Sequence, residues 1–386
     1  MKTTHVLGHN SNWNVESFNK QNIGDYFLIT AYTHGVNFDE NKHISQVIER
    51  SMIDLQFYGK RESGKISGGK LNEFKFHPAN VTSDDITNVY FENSIKQAIA
   101  FQKRKGLKNI IIPHFYENED VDQIISLIHL VNKFIPDVRE TGETYYMSLP
   151  LANHMIINKY KIEELLLSCT DMDIAFDGYF VSCEMKPEFR KKIDTDYKIF
   201  INLSKVFKNL KTNGFKTIYA YANWDAILYL AQTDIDYITI GTYENLRRFD
   251  INRFIEDQSG GGSKGYYFSE KLLNMIRADD IVRIRNTGNL DLIKNEKNIF
   301  SDIVLQEGYK WNIHRPDINK NYLLSIDNLL KKISVIGNIA ERKEYVLDLI
   351  DNAIERYREL DDNRVYLDDM SSNYHLSDWK TYLANS

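Results

Sequence analysis

Eight short apolar runs punctuate the chain between Tyr26 and Arg285, and most are followed by residues with helical spacing. A continuous run of aromatic and β-branched residues suits a parallel strand buried on both faces, and Tyr26–Tyr32 is such a run. Ile53, Leu55 and Phe57 alternate with Asp54, Gln56 and Tyr58 in a second strand. Leu71–Phe76 alternates again, which reads as a hairpin inserted after it. Further strands are predicted at Asn109–Pro113, Tyr145–Pro150, Asp173–Asp177, Thr217–Tyr221, Tyr237–Gly241 and Asp280–Arg285. Between them, helical stripes are expected over Ile86, Val89, Tyr90 and Ala98, over Val121 to Ile135, over Ile162 to Leu166 and over Ile199 to Leu210. Trp224 to Ala231 and Phe268 to Ile276 read as shorter helices.

Strands alternating with helices at this spacing favour right-handed parallel crossovers, and eight such units make a (β/α)8 TIM-like barrel. A doubly wound open sheet has the same spacing and stays the alternative. Beyond Asn286 the strands stop while helical spacing continues, through Leu323, Leu330 and Ile333 and then Val346, Ile350, Ala353 and Tyr357. The predicted organisation is therefore an N-terminal arm (1–22), a β/α barrel (23–288) with a hairpin insertion near 59–80, and a helical C-terminal extension (289–386). The stripes of the extension must bury against the barrel or against a protein partner.

Composition narrows the function classes. The 386 residues are 42% hydrophobic and 26% charged with a net charge of -6, so no broad basic footprint for nucleic acid is present and a nucleic-acid partner is not favoured. No run approaches the roughly 20 apolar residues that cross a bilayer, and no long apolar segment follows Met1–His5, so neither membrane insertion nor a cleavable signal is expected. Two cysteines, Cys169 and Cys183, lack the spacing of a zinc knuckle or a disulfide framework. The chain reads as cytoplasmic and reduced, with no cofactor implied.

A barrel of this type places its chemistry in the loops after the strand ends. The predicted strand ends deliver Asp177 and Glu184, then Asp225, then Glu244, and neighbouring carboxylates at one mouth can divide into acid and base as each raises the other's pKa. These four are the candidate catalytic residues, because two such groups flanking a sugar carbon are what glycosidic chemistry needs. His34, His114, Tyr179, Asn223, Trp224, Tyr243 and Arg285 are the candidate substrate contacts, with Tyr179, Tyr221, Trp224 and Tyr243 forming an aromatic wall that stacks on sugars and bases alike. The alternative for the acids is helix capping or pairing with Arg247, Arg248 or Arg285. His34, His114 and His154 with Asp177 have the makings of a divalent-metal site, but without a His-x-His pair no metal is expected. The Gly-rich stretch Ser259–Gly265 fits a flexible loop better than a phosphate cradle, since it lacks a Gly-Lys-Ser/Thr ending.

Asp171-Met172-Asp173-Ile174-Ala175-Phe176-Asp177 resembles the strand of tRNA-guanine transglycosylases that ends in Ala-Phe-Asp-Glu, and the strands at Tyr219 and Asp236–Gly241 follow at similar spacings. The resemblance implies a barrel in which Asp177 contacts a purine-like base and an aspartate near the last strand, Asp279 or Asp280, is the nucleophile. The chain departs from that family at Ala220-Tyr221-Ala222-Asn223, where the family has Gln-Gly-Gly, and in lacking its three-Cys, one-His zinc site. Two functional readings follow: an enzyme acting on a glycosidic or N-glycosidic bond of a sugar- or nucleoside-containing small molecule, or a non-catalytic barrel that docks on a partner protein through its helical tail. A metal-dependent hydrolase is a third and weaker expectation.

Overall fold

The structure is a computed structural model that describes residues 1–58, 68–81, 88–114, 121–254 and 264–386. Its centre is a parallel sheet of eight strands: β1 (Lys2–Leu7), β2 (Tyr26–Thr30), β3 (Ser51–Asp54), β4 (Asn109–Ile112), β5 (Thr144–Leu151), β6 (Gly178–Cys183), β7 (Lys216–Tyr219) and β8 (Tyr237–Gly241). Each strand ladders with its neighbour in sequence except β3 with β4, which lie side by side, and β1 also pairs with β8. That order is a TIM-like barrel, closed by ladders all round except at the β3–β4 seam, and it excludes the doubly wound sheet, whose strand order reverses at a switch point.

The barrel is nevertheless assembled differently from the expected one. Its first strand is Lys2–Leu7, inside the segment expected to be an arm. The segment carries the polar residues Thr3, Thr4 and His5, yet all three are buried. The structure meets the cost of burying polar atoms with specific partners: the His5 ring bonds to the Ile23 carbonyl at 2.7 Å and to the Asn14 amide at 3.1 Å, while the Thr3 N–H donates to Asp25 at 3.0 Å. At the other end, Asp280–Arg285 is not the eighth strand but part of a helix, Ala278–Asn286. Ile281 and Ile284 are buried while Val282 is 44% exposed, the i, i+3 pattern of a helix face. Asp279 and Asp280 in its first turn and Arg283 and Arg285 in its last complement the helix dipole.

Three smaller expectations also change. Phe268–Ile276 is a hairpin, β9 (Tyr266–Ser269) and β10 (Asn274–Arg277), turned through Leu273 at φ 48°. Leu71–Phe76 forms no strand, its first residues making a 3-10 turn (Leu71–Glu73), and the rest of the expected hairpin insertion lies partly outside the described residues. In the helix Asn88–Arg104 the buried face is set by Ile95, Ala98 and Ile99, Val89 is exposed, and Ile86 lies outside the described residues. The helices Val121–Val138, Lys159–Cys169 and Tyr197–Thr212 stand where their apolar spacing put them.

The fifth expected strand, Asp173–Asp177, is shifted along the chain: β6 begins only at Gly178. Gly178 is required there, because a Cβ would lie 2.2 Å from the Lys216 carbonyl oxygen on β7. The Asp-Gly pair therefore marks the entry of a strand and not its exit.

The chain divides into two compact units. The first, Met1–Glu184, Lys205–Ala222 and Ile235–Ser259, contains all eight barrel strands. The second, Met185–Ser204, Asn223–Asp234 and Gly260–Ser386, takes in two segments that lie between barrel strands in sequence as well as the C-terminal part. Within it the helix Pro316–Ser334 packs on β9, and Asn295 and Asn298 bond Ser325 at 2.8 and 2.9 Å. Leu323, Leu330, Ile333, Val346, Ile350 and Ala353 are buried, so their spacing alone no longer argues for a partner. No helix among the described residues is long and apolar enough to cross a membrane.

Candidate functional site

Alternation along β3 positions the site. Asp54 is the last residue of the strand, and Gln56 and Tyr58 follow at period two. All three are buried at the carboxyl end of the barrel. Tyr221, just beyond β7, and Phe249, Arg253 and Phe254, beyond β8, complete the group.

The Tyr221 hydroxyl donates to Asp54 Oδ2 at 2.6 Å and the Gln56 backbone N–H donates to Oδ1 at 2.9 Å. The Tyr58 hydroxyl lies 3.3 Å from both carboxyl oxygens and from Ser148 Oγ on β5. The Gln56 side chain ties the network together, its Nε2 donating to Tyr221 Oη at 2.7 Å and its Oε1 accepting from the Tyr32 N–H at 2.8 Å. Phe249 packs against Tyr58 and Tyr221 with centroids 4.8 and 5.8 Å apart, and Phe254 against Tyr58 at 5.3 Å. Gln56 and Tyr221 both hold left-handed backbones, at φ 54° and 53°. Non-glycine residues pay roughly 1–3 kcal/mol for such backbones, which cluster at functional sites.

The electrostatics follow from burial. Desolvation pushes the Asp54 carboxyl up to about 6, against the downward pull of the Tyr221, Gln56 and Tyr58 hydrogen bonds and of the Arg253 charge. Burial, reinforced by the nearby Asp54 charge, also pushes the Tyr58 and Tyr221 hydroxyls well above their ordinary range, so both stay protonated donors. Arg253 is itself buried, donating to the Asn245 carbonyl at 2.7 Å with its guanidinium 5.2 Å from the Tyr32 ring centroid. A carboxyl near pH 6, two fixed hydroxyl donors and a cation form a group able to give up a proton and then hold the resulting charge.

The sequence-predicted candidates are dispersed. Asp177 sits at the amino end of β6, opposite to the end where barrel chemistry is built, and accepts from Arg139 Nη1 at 3.1 Å and from the Tyr145 N–H at 2.7 Å. Its place is a correction: the reading as a mouth carboxylate depended on a strand ending at 177. Tyr179 is a core residue whose hydroxyl donates to the Cys169 carbonyl at 2.5 Å. Glu184 does lie at the carboxyl end, just after β6, buried, with Oε2 accepting from the Asn153 N–H at 3.1 Å and its backbone bridging Phe249. Glu244, after β8, pairs with Arg248 at 3.2 Å, as the alternative for these acids had it.

His34 and His114 follow β2 and β4, and Tyr243 follows β8. Burial, with the charges of His9 and Lys70, holds His34 down at about 4, so it is neutral at pH 7. The His114 ring reaches the Ile124 carbonyl at 3.4 Å, and the Tyr243 hydroxyl accepts from the Asn10 amide. Asn223, Trp224, Asp225 and Arg285 belong to the second unit. There Trp224 is core, packed against Phe268 and His375 with centroids 5.7 and 6.4 Å away, and Arg285 donates to the carbonyls of Leu305 and Gln306. Among the described residues no three His, Cys, Asp or Glu side chains converge as for a metal ion. The Gly-rich stretch lies outside the described residues up to Ser263.

Sequence reasoning passed over Asp54, Gln56, Tyr58 and Arg253 as site residues, and it placed Tyr221 in an aromatic wall but not as a hydrogen-bond donor to a carboxyl. The signal lay in the polar residues at 54, 56 and 58, at the end of and just after an otherwise apolar strand. No protein-family model fits the chain and no curated protein is significantly similar to it.

Proposed function

We propose that this barrel is an enzyme that breaks or transfers a glycosidic bond, N-glycosides included, with Asp54 as its proton donor. The observation that carries the reading is the Asp54 carboxyl, buried at the carboxyl end of the barrel with a pKa of about 6 and facing two tyrosine hydroxyls. Protonated Asp54 gives its proton to the leaving oxygen or nitrogen as the bond to the sugar carbon breaks. Its carboxylate is then stabilised by Tyr221, the Gln56 N–H and the Arg253 charge. Tyr58, Phe249 and Phe254 supply aromatic faces for a sugar or base. Glu184, a second buried carboxyl at the carboxyl end, takes the part of base or nucleophile.

The test is release of free base from a panel of nucleosides, and of p-nitrophenol from p-nitrophenyl glycosides, by the wild-type chain and by Asp54→Asn. Turnover by the wild type with a rate that falls as pH rises through about 6, lost in Asp54→Asn, is expected. Equal rates in the two proteins, or none with any member of the panel, would remove the reading.

A further inference from the structure

The second unit holds a cleft of about 430 Å³ that no residue of the Asp54 network lines, in the size range of small-molecule sites. It is framed by the turn after β9, the segment before the helix Ile299–Val304, and the helices Pro316–Ser334 and Ile339–Asp362. Four cations, Lys271, Lys297, Lys332 and Arg356, line it against two carboxyls, Glu270 and Glu296. Lys271 and Glu296 pair with each other at 3.2 Å. Lys297 and Lys332 are in no ion pair among the described residues, and Arg356 donates to a backbone carbonyl of its own helix at 3.0 Å. The cleft therefore keeps a positive surplus.

Glu270 supplies the second, independent observation. Its Oε1 is buried and has no hydrogen-bond partner among the described residues. Burial raises its carboxyl above the ordinary range, opposed by Ser325 and the Lys332 charge. A buried carboxyl oxygen without a hydrogen-bond partner costs free energy that a ligand's donor recovers. Leu349 adds an apolar surface to the same wall.

We propose that this cleft binds an organic phosphate of mononucleotide size, with its phosphate among Lys297, Lys332 and Arg356 and a ring amine or hydroxyl donor facing Glu270. Lysine and arginine together suit a phosphate dianion, and the volume leaves room for the organic part.

Titration calorimetry of the full chain with AMP, ribose 5-phosphate and inorganic phosphate at fixed salt tests this. AMP is expected to bind at least about tenfold tighter than inorganic phosphate, with ribose 5-phosphate showing how much the base adds. Lys332→Ala and Arg356→Ala each weaken AMP binding about tenfold or more, while Glu270→Gln, which keeps an accepting oxygen, retains more affinity than Glu270→Ala. Thermal melts without ligand confirm that each variant is folded, and Lys297→Ala replaces any that is not. Failure of AMP to bind, or binding unaltered in the folded lysine and arginine variants, overturns the proposal.

Discussion

The two ends of the barrel each present an aspartate at a strand edge, and their surroundings could hardly differ more. At the amino end Asp177 is partly exposed, joined to the guanidinium of Arg139 and to a backbone N–H of β5. At the carboxyl end Asp54 is buried, and its strongest partners are hydroxyls and an amide that do not neutralise it. The first arrangement stitches strands together. The second leaves a carboxyl whose ionisation is costly, held by two residues with strained backbones, and stability given up in this way is a mark of a site built for something else.

That contrast can be broken by exchange of single groups. The largest effect is expected from Asp54→Asn, which lowers turnover about a thousandfold, while Asp177→Asn leaves it within about twofold; the reverse order in a steady-state assay would return the candidate site to the amino end. Tyr221→Phe comes next, with a loss of about a hundredfold in kcat. Because the Tyr221 hydroxyl lowers the Asp54 pKa, its removal moves the falling limb of the pH–rate profile above about 6, and an unmoved limb would assign that limb to another group.

Stability gives a third handle, with the sign fixed by linkage. The folded Asp54 carboxyl binds its proton more tightly than the unfolded one, so its contribution is fully present below about 3.8 and is lost as pH rises to about 6. The loss is on the order of 3 kcal/mol at most. Denaturant melts of the wild type and Asp54→Asn should therefore diverge over that window, with the variant the more stable above it, and parallel curves would show that Asp54 is not desolvated. The smallest effect is expected at the amino end, where Asp177→Ala should cost roughly 1–2 kcal/mol by removing the acceptor of Arg139 and Tyr145 N–H, with little dependence of activity. A chemical melt that did not shift would make that pairing energetically idle.

Much of the architecture was legible because periodicity reports burial, and seven of the eight barrel strands were anticipated at or next to their places. The exceptions have physical causes. Lys2–Leu7 hides a strand because the buried side chains of Thr3 and His5 find partners in segments that only folding brings near. Ala278–Asn286 imitates a strand because apolar residues at 281, 282 and 284 satisfy both periods, and solvent on Val282 decides between them. These two errors cancelled in the strand count while shifting every strand number by one. The site was less legible, since a displacement of β6 by a few residues carried Asp177 from one end of the barrel to the other.

The sequence by itself determined that strands and helices alternate and that a helical region follows, because side-chain spacing is a local property of the chain. Only the tertiary structure decided which polar residues meet. Asp54 and Tyr221 stand 167 residues apart, and no local pattern encodes the 2.6 Å between them; it arises from closing the sheet so that β3 and β7 face one another across its interior.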